Sequence, residues 1–305
     1  MSHWSILGSG VTALCAATVL YEHGETIEII EQPLIQAASY WAGGMLAPYC
    51  EGESAPEYIT QNSLSSIDWW QQHVPDVQQN GTLVIAPSRD QVELTRFAAR
   101  TQAHSLCQAV DIEADLAHFK QALFFASEAH LHPRQALAHL KQLLVEAGVS
   151  IHTGAARGKI IDCRGIHAKA QLENLRAVRG EMLMLHNPHV DFQRPIRLLH
   201  PRFPCYLVPR GSGIYMLGAT MLETDDASEI SARSMMELLN AAYSIHPSFA
   251  DAKVLETGVG LRPSYPDNIP KIHEQDGTFY LNGMYRHGFL FAPVLAQQLL
   301  HKIQG

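Results

Sequence analysis

The sequence is low in charge and has no long apolar run. Charged residues make up 17% of its 305 residues, and no Lys/Arg-rich segment occurs. No apolar stretch reaches the ~18 residues that a transmembrane helix needs. The N-terminus also lacks the basic segment and apolar core of a signal peptide. With a formal net charge of -8, these absences argue against nucleic-acid and membrane partners, and we expect a cytoplasmic protein.

Disulfide and metal signatures are missing as well. The five cysteines are scattered, odd in number and without CxxC spacing, which favours reduced thiols. Seventeen histidines occur without an HExxH motif or a compact His/Cys cluster. We interpret them as surface or hydrogen-bonded residues and expect no metal site.

What the chain does have is a strand, a glycine turn, a helix and a second strand within its first 31 residues. Residues 3–7 form an apolar strand, 8–13 supply the turn, 11–23 have helical character, and 26–30 form the next strand. Because the pieces follow in the order of a βαβ unit, the pattern predicts a dinucleotide-binding start. The alternative is an ordinary βαβ unit with a tight turn.

Each residue type in this motif has a physical use. Gly8 permits the sharp turn off the strand, Gly10 lets the backbone approach a pyrophosphate, and small Ala13 lets the helix pack closely on the strand. The helix N-terminus offers free N–H groups to phosphates. Glu31, at the end of the second strand, is placed to accept hydrogen bonds from a ribose without a 2′-phosphate.

The rest of the chain predicts two domains built from discontinuous segments. Predicted strands alternate with predicted helices near both ends of the chain, and the sequence between these regions is rich in predicted strands. Residues 206–208 and 214–217 flank an Arg-Gly-Ser-Gly turn and predict a hairpin. Residues 37–56, punctuated by Gly, Ala and Pro, are too irregular for a helix or a strand. No second glycine-rich turn for a nicotinamide cofactor occurs.

Several separated segments together resemble the D-amino-acid oxidase family, and within it the glycine oxidases of the thiamine-biosynthesis type. Residues 8–13 with Glu31 are similar to the FAD-binding start, and 41–48 (WAGGMLAP) resemble the segment beside the flavin. The substrate-side hairpin is matched by 206–210 (YLVPR) and 218–221 (GATM), and the two C-terminal signatures by 260–263 (GLRP) and 285–293 (YRHGFLFAP).

The resemblance implies an α/β fold with FAD as cofactor: a Rossmann-like FAD-binding domain interleaved with a β-rich, α+β substrate domain. The boundaries expected are 1–85, 130–180 and 255–305 for the first domain, and 86–129 and 181–254 for the second. The cofactor-binding residues implied are Gly8, Gly10, Val11, Ala13, Glu31, Gln32, Gly44, Met45, Leu46, His287, Gly288, Phe289 and Leu290. For Gly44 and Gly288 the alternatives are a loop turn and a simple helix entry.

The resemblance also implies four catalytic-site residues. Arg262 grips the substrate carboxylate as a guanidinium fork, and the Tyr206 hydroxyl donates to the same carboxylate. Met221 lines a small side-chain pocket, and Arg286 places positive charge near the flavin or the substrate entrance. From the residues alone, a surface arginine at a strand end is the favoured interpretation of Arg262 and a half-buried strand tyrosine that of Tyr206, and the alternative for Met221 is an ordinary core methionine.

The reaction implied is oxidation of glycine, sarcosine or D-alanine by hydride transfer to FAD. Dioxygen reoxidises the flavin and yields hydrogen peroxide, and the imine is hydrolysed or passed to a thiazole synthase. The alternatives are a dehydrogenase with a quinone or protein acceptor and a non-catalytic dinucleotide-binding module. A homo-oligomer is compatible with each of these three functions.

The chain departs from the family pattern in two places. After Val149 the usual β-excursion is shortened, and residues 154–158 run almost directly into 160–165. This leaves open which backbone groups close over the adenine end of FAD. Pro204 stands before Cys205 and Tyr206, where some relatives carry a polar side chain.

Overall fold

The computed structural model describes residues 3–32, 36–199 and 205–305; Pro204 lies outside them. Within these residues the strands are β1 (His3–Leu7), β2 (Thr26–Ile30), β3 (Met45–Leu46), β4 (Thr82–Ile85), β5 (Ser105–Cys107), β6 (Ala122–Phe125), β7 (Ala129–His130), β8 (Ser150–His152), β9 (Lys159–Asp162), β10 (Arg176–His186), β11 (Ile196–Leu198), β12 (Cys205–Pro209), β13 (Ile214–Gly218), β14 (Lys253–Ser264), β15 (Lys271–Gln275) and β16 (Thr278–Asn282). The helices are α1 (Val11–Glu22), α2 (Pro48–Glu51), α3 (Glu57–Asn62), α4 (Ser66–His73), α5 (Gln91–Arg100), α6 (Ala109–Ile112), α7 (Pro133–Glu146), α8 (Ala232–Ile245) and α9 (Gly288–Gln304).

The first sheet has six strands in the order β15-β16-β9-β1-β2-β8. Strand β1 pairs in parallel with both β2 and β9, so the opening unit is the βαβ crossover that the sequence predicts. Helix α1 packs against α7 and α9 as well as the sheet. This surrounding explains why most of its residues, from Val11 to Leu20, are buried rather than only one stripe of them.

Helix α9 contains Pro293, which has no N–H to give to the carbonyl of Phe289. The indole Nε1 of Trp70 donates to that carbonyl at 2.7 Å, and the hydroxyl of Ser66 donates to the carbonyl of Leu290 at 2.6 Å. Trp70 of helix α4 therefore supplies the one donor that the proline removes, and Ser66 of the same helix adds a second bond to the start of α9, where it meets the cavity described below.

The second sheet has eight strands in the order β14-β10-β13-β12-β11-β4-β6-β5. The predicted hairpin is confirmed, since β12 and β13 pair antiparallel with Tyr206 opposite Gly218. Helix α8 covers one face through Leu238, Ala242 and Ile245. The mixed α/β architecture, a parallel-stranded sheet beside a β-rich one, is the one expected from the sequence.

The sheets divide the chain differently from the sequence boundaries at two strands. Strand β4 and all but the first two residues of β14 fall in the segments expected for the FAD-binding domain, yet both strands pair in the eight-stranded sheet. Hydrophobic pattern predicts that a strand exists but not which neighbour it joins. We therefore propose that the substrate domain includes β4 and β14 and that the FAD-binding domain is built on the six-stranded sheet.

None of the helices in the described part of the chain combines the length and apolar character that crossing a bilayer requires.

Candidate active site

A cavity of about 590 Å³ lies between the two sheets and extends from the start of α1 to β10, β12 and β14. Its volume is typical of small-molecule and cofactor sites. It gathers most of the residues that the sequence predicts for cofactor and substrate. These are Gly8, Gly10, Val11, Gln32, Gly44, Met45, Tyr206, Met221, Arg262, Arg286, His287, Gly288, Phe289 and Leu290.

Three predicted cofactor residues do not line this cavity. Ala13 and Leu46 are fully buried in the core behind it; for Ala13 this is the close-packing position expected. Glu31 lies at the end of β2, but both of its carboxylate oxygens accept from Lys141 Nζ at 2.8 Å. The sequence could not indicate this ion pair because Lys141 comes from α7, more than a hundred residues later. The neighbouring Gln32 lines the cavity instead.

The turn before α1 needs glycine at the first predicted position and leaves little room for a side chain at the second. Gly8 has a positive φ of +109°, and a Cβ there would lie 3.0 Å from the Cys163 carbonyl oxygen. A Cβ on Gly10 would be 3.3 Å from Ser39 Oγ. That hydroxyl accepts from the Val11 amide at 3.2 Å, and Gly10 itself, as N-cap, offers α1 no side-chain acceptor. The open amides of this helix start suit an anion such as a pyrophosphate.

A second helix begins at the same cavity. Helix α9 starts at Gly288, also without a side-chain cap, and the cavity wall includes Gly288, Phe289 and Leu290. Their amides and the helix dipole place partial positive charge at this wall. Burial lowers the pKa of the preceding His287 to about 4, so its ring is neutral near pH 7.

The loop before β3 is fixed by backbone contacts rather than by its own side chains. Gly44 has φ +73°, and a Cβ there would lie 2.3 Å from the Leu131 carbonyl oxygen. The Leu131 amide donates to the Gly44 carbonyl at 2.9 Å, and Arg210 Nη2 donates to the Gly43 carbonyl at 2.7 Å. The glycine is therefore required for close approach, and Met45 is held at the cavity wall beside it.

The shortened segment after β8 packs on the sheet and not on the cavity. The Arg157 amide donates to Glu28 Oε1 at 2.8 Å, and the Gly158 amide donates to Ser5 Oγ at 2.8 Å. Glu28 is only 1% exposed, and its carboxylate also accepts from Ser5 Oγ and from Arg157 Nε, each at 2.6 Å. At this end the cavity is lined by residues 163–167 instead, which follow β9.

Arg262 projects from β14 into the cavity and has no carboxylate partner among the described residues. Its Nη1 donates to the Thr220 carbonyl at 3.0 Å, which leaves most of its donors unused. Burial lowers the pKa of Arg262 to about 10, and nearby Arg286 adds to the effect, so the group is still charged near pH 7. A buried, charged guanidinium with unused donors is suited to bind an anionic ligand.

Room for Arg262 comes from a glycine that sequence reasoning missed. Gly180 on β10 lies opposite Gly260 on β14, and a Cβ at Gly180 would be 2.1 Å from Arg262 Nη2. The guanidinium therefore lies over a strand position where any other residue would displace it.

The substitution Gly180→Ala is expected to lower kcat/KM for the amino-acid substrate by roughly 10- to 100-fold, because displacement of a binding group by about 1 Å has effects of this size. FAD content should stay unchanged. Steady-state kinetics together with the flavin spectrum of the purified variant check this. Gly260→Ala is the matched control, since its Cβ would meet Ala38 Cα at an ordinary 3.4 Å. A loss equal to that of Gly180→Ala would contradict the steric explanation.

The carboxylate of Glu51 connects the other polar residues of the site and was not expected from the sequence. It ends helix α2, which lies in the segment judged too irregular for a helix or strand. The Tyr206 hydroxyl donates to Glu51 Oε1, and Arg286 Nη2 donates to Oε2 at 2.9 Å. Burial alone would raise the pKa of Glu51, but Arg286, His287 and Arg197 together lower it to about 2. The Tyr206 proton is thus directed to Glu51 and not to a free cavity position.

Met221 and Arg286 are neighbours at the cavity wall. The Tyr285 hydroxyl lies 3.3 Å from Met221 Sδ, and Arg286 Nη1 lies 3.7 Å from the same atom. Arg286 Nε is buried and has no partner in the described structure. The Met221 thioether therefore packs against the Arg286 guanidinium at the cavity wall.

Near Glu51 lies a second buried carboxyl group, that of Glu128, whose pKa is raised where that of Glu51 is lowered. Glu128 is fully buried, its Oε1 accepts from the Cys50 amide at 2.6 Å, and its Oε2 has no partner among the described residues. Burial, together with a smaller effect of the charge of Glu51, raises the pKa of Glu128 to about 8. At neutral pH the group is held largely in its protonated form.

This carboxyl group predicts a pH-dependent stability. Between about pH 5 and about pH 8 the unfolded chain releases the Glu128 proton while the folded chain keeps it, so stability falls as the pH rises through that window. Glu128→Gln removes the titration. The free energy of unfolding of this variant relative to wild type should therefore rise by on the order of 3 kcal/mol across the window. Denaturant unfolding at about pH 5 and about pH 8 measures this difference, and Glu173→Gln, at an exposed position, is the control. If the unfolding free energies of wild type and Glu128→Gln changed in parallel with pH, the prediction would be refuted.

Comparison with known proteins places these features in context. A model of the family DAO, FAD dependent oxidoreductase, matches residues 3–301. One relative is a Rhizobium etli protein with the name thiamine biosynthesis oxidoreductase ThiO. The two chains are 46% identical over 309 residues, and the match covers 97% of this chain and 94% of the relative's chain. The bifunctional protein ThiO/ThiG of a Synechocystis strain is 24% identical over 329 residues, covering 95% of this chain and 50% of its own.

The same fold occurs in a solved structure. Glycine oxidase from Geobacillus kaustophilus superposes with a TM-score of 0.84 at 20% identity, covering 100% of this chain and 95% of that one.

The residues present fit a flavin dinucleotide. Two helices without an N-cap side chain begin at one cavity, and Gly8 and Gly44 hold conformations that keep its wall free of side chains. The Arg262 guanidinium, which has no carboxylate partner among the described residues, opens into the same cavity. An anionic, two-part cofactor and a carboxylate substrate can share such a space.

Proposed function

Because this chain belongs to the DAO family of FAD-dependent oxidoreductases and is an enzyme of the ThiO and glycine oxidase type, we propose that it oxidises glycine or another small amino acid such as sarcosine or D-alanine. The observation that carries the substrate class is Arg262. It is a guanidinium that no described protein carboxylate neutralises, and it opens into the cavity that also holds the glycine turn of α1.

We propose that the cofactor residues divide between two ends of the cavity. Gly8, Gly10 and Val11 hold the pyrophosphate at the start of α1, with Gln32 beside the ribose in place of Glu31. Gly44 and Met45 flank one edge of the isoalloxazine, and residues 287–290 flank the other, where the helix dipole of α9 favours negative charge. Arg286 adds a full positive charge near that edge.

The substrate residues then act by orientation. Arg262 binds the carboxylate in a bidentate way that lysine could not reproduce. Met221 limits the side-chain space, and Tyr206 forms the wall opposite. When bound, the flavin supplies the redox chemistry by accepting a hydride equivalent from the substrate carbon. The chain contributes positioning, worth about 7–11 kcal/mol in the best cases, and no strong acid or base is required of it.

Dioxygen is the proposed electron acceptor, with hydrogen peroxide as product. The imine is released to water or to a thiazole synthase. The likeness to a protein that carries both ThiO and ThiG names in one chain supports this hand-off.

One experiment tests substrate and acceptor together. Purified holoenzyme is supplied with glycine, sarcosine and D-alanine while peroxide and oxygen are followed, and in parallel with an artificial electron acceptor under argon. Peroxide formation in step with substrate loss supports the oxidase. Turnover with the artificial acceptor alone would favour the dehydrogenase, and no turnover with any of the three would refute the substrate class.

A further inference from the structure

Glu51 is the single acidic side chain among the described residues that line the cavity. The lining arginines are Arg164, Arg262 and Arg286, and two of them already have a carboxylate. Arg164 is paired with Asp162 through bonds from 2.5 to 3.1 Å, and Arg286 with Glu51 at 2.9 Å. Arg262 is left without one.

The described charged groups that line the cavity around Arg262 therefore carry a net charge of +1, from Arg262, Arg286 and Glu51. Glu51 is 8% exposed and ionised, and it cancels the charge of Arg286. His287, 3.6 Å from Glu51, is neutral, as is Tyr206, whose hydroxyl donates to the same carboxylate. One positive charge, that of Arg262, remains to receive one negative charge.

A second carboxylate on a ligand would meet a different environment. Among the described residues, the only other cation near Arg262 that lines the cavity is Arg286, since Arg197 is absent from the wall and pairs with Glu53 at 3.0 Å. The Nη2 of Arg286 is already held by Glu51 and by Ser54 at 2.9 Å each. A dianion would have to compete with Glu51 for that guanidinium while repelling the Glu51 carboxylate at close range. This repulsion lowers the affinity for a dicarboxylate relative to a monocarboxylate.

We propose that Glu51 is the charge-selecting residue of the site: by neutralising Arg286 it admits ligands with one carboxylate and rejects those with two. This rests on the proposed function, in which the substrate carboxylate binds Arg262. Glu51 acts through Arg286 and through its own charge and takes no part in the redox step.

Equilibrium binding of two inert anions, acetate and malonate, tests the proposal with the holoenzyme at a pH where both malonate carboxyls are ionised. Perturbation of the flavin spectrum and calorimetry each give the dissociation constants. Wild type should bind acetate at least about tenfold more tightly than malonate. In Glu51→Gln, Arg286 is freed beside Arg262, and the preference should move by roughly tenfold or more toward malonate. A ratio of affinities is not altered by a general loss of packing.

Two further variants separate charge from structure. Glu51→Asp keeps the negative charge and should keep the preference for acetate. Glu57→Gln removes the same charge six residues away; Glu57 is exposed, accepts from Gln61 at 2.6 Å, is absent from the cavity wall, and should leave the ratio unchanged.

Three results would overturn the proposal. These are a wild type that binds malonate as tightly as acetate, a Glu51→Gln ratio within twofold of wild type, or an equal shift in Glu57→Gln. The wild-type comparison holds even if Glu51→Gln fails to fold. A wild type that selects acetate but does not oxidise glycine refutes the proposed function and leaves the charge selection standing.

Discussion

Replacement of Arg262 by leucine should lower kcat/KM for glycine by roughly 100- to 1000-fold or more. The substrate carboxylate would lose its partner in a largely desolvated site, and breaking such a pair costs about 3–5 kcal/mol. The flavin should remain bound, because no predicted cofactor contact involves this side chain. Steady-state kinetics with glycine, together with the visible spectrum of the variant, measure both effects.

Two variants define the specificity of that result. Arg262→Lys keeps the charge but not the fork and should fall between wild type and leucine. Arg89→Leu removes an arginine whose side chain is 86% exposed and should leave the kinetics unchanged. If Arg262→Leu retained the wild-type specificity constant, Arg262 would be removed from the site.

An aspartate in place of Gly10 should lower the affinity for FAD by roughly 100-fold or more. Gly10 is the N-cap of α1, and aspartate is among the favoured N-cap residues, so the helix itself should be kept. Its carboxylate would, however, stand where the pyrophosphate is proposed to bind, and repulsion between such groups a few ångströms apart amounts to several kcal/mol. Titration of the apoprotein with FAD, followed by flavin fluorescence, gives the dissociation constant.

Asparagine at the same position is the matched control. It has the same shape and also caps helices well, and it meets the same close contact with Ser39 Oγ. Only the charge differs, so asparagine should weaken FAD binding much less than aspartate. Equal dissociation constants for the two variants would mean that no phosphate lies at the start of α1.

The features that could be predicted from sequence are those carried by short-range spacing. Gly8 and Gly10 lie between two apolar strands and at the start of an apolar helix, and this order is sufficient to define the βαβ unit. The β12–β13 hairpin is likewise determined by its own turn. The family resemblance added Arg262 and Arg286, which no local pattern distinguishes from surface arginines.

The features that could not be predicted depend on contacts between distant segments. Lys141 occupies Glu31 because α7 packs beside the end of β2. Glu51 lies in a four-residue helix without periodicity, and its role is visible only when β12 and the start of α9 bring Tyr206 and Arg286 to it. Gly180 has no turn to signal it; the space it leaves is needed by a side chain on another strand.

The central claim is that FAD and a small amino acid meet in one cavity, with the carboxylate on Arg262. Anaerobic titration of the purified holoenzyme with glycine tests it most directly, since no acceptor other than the flavin is then present. The account predicts saturable bleaching of the flavin absorbance. A flavin spectrum that stays oxidised at high concentrations of glycine, sarcosine and D-alanine would contradict it.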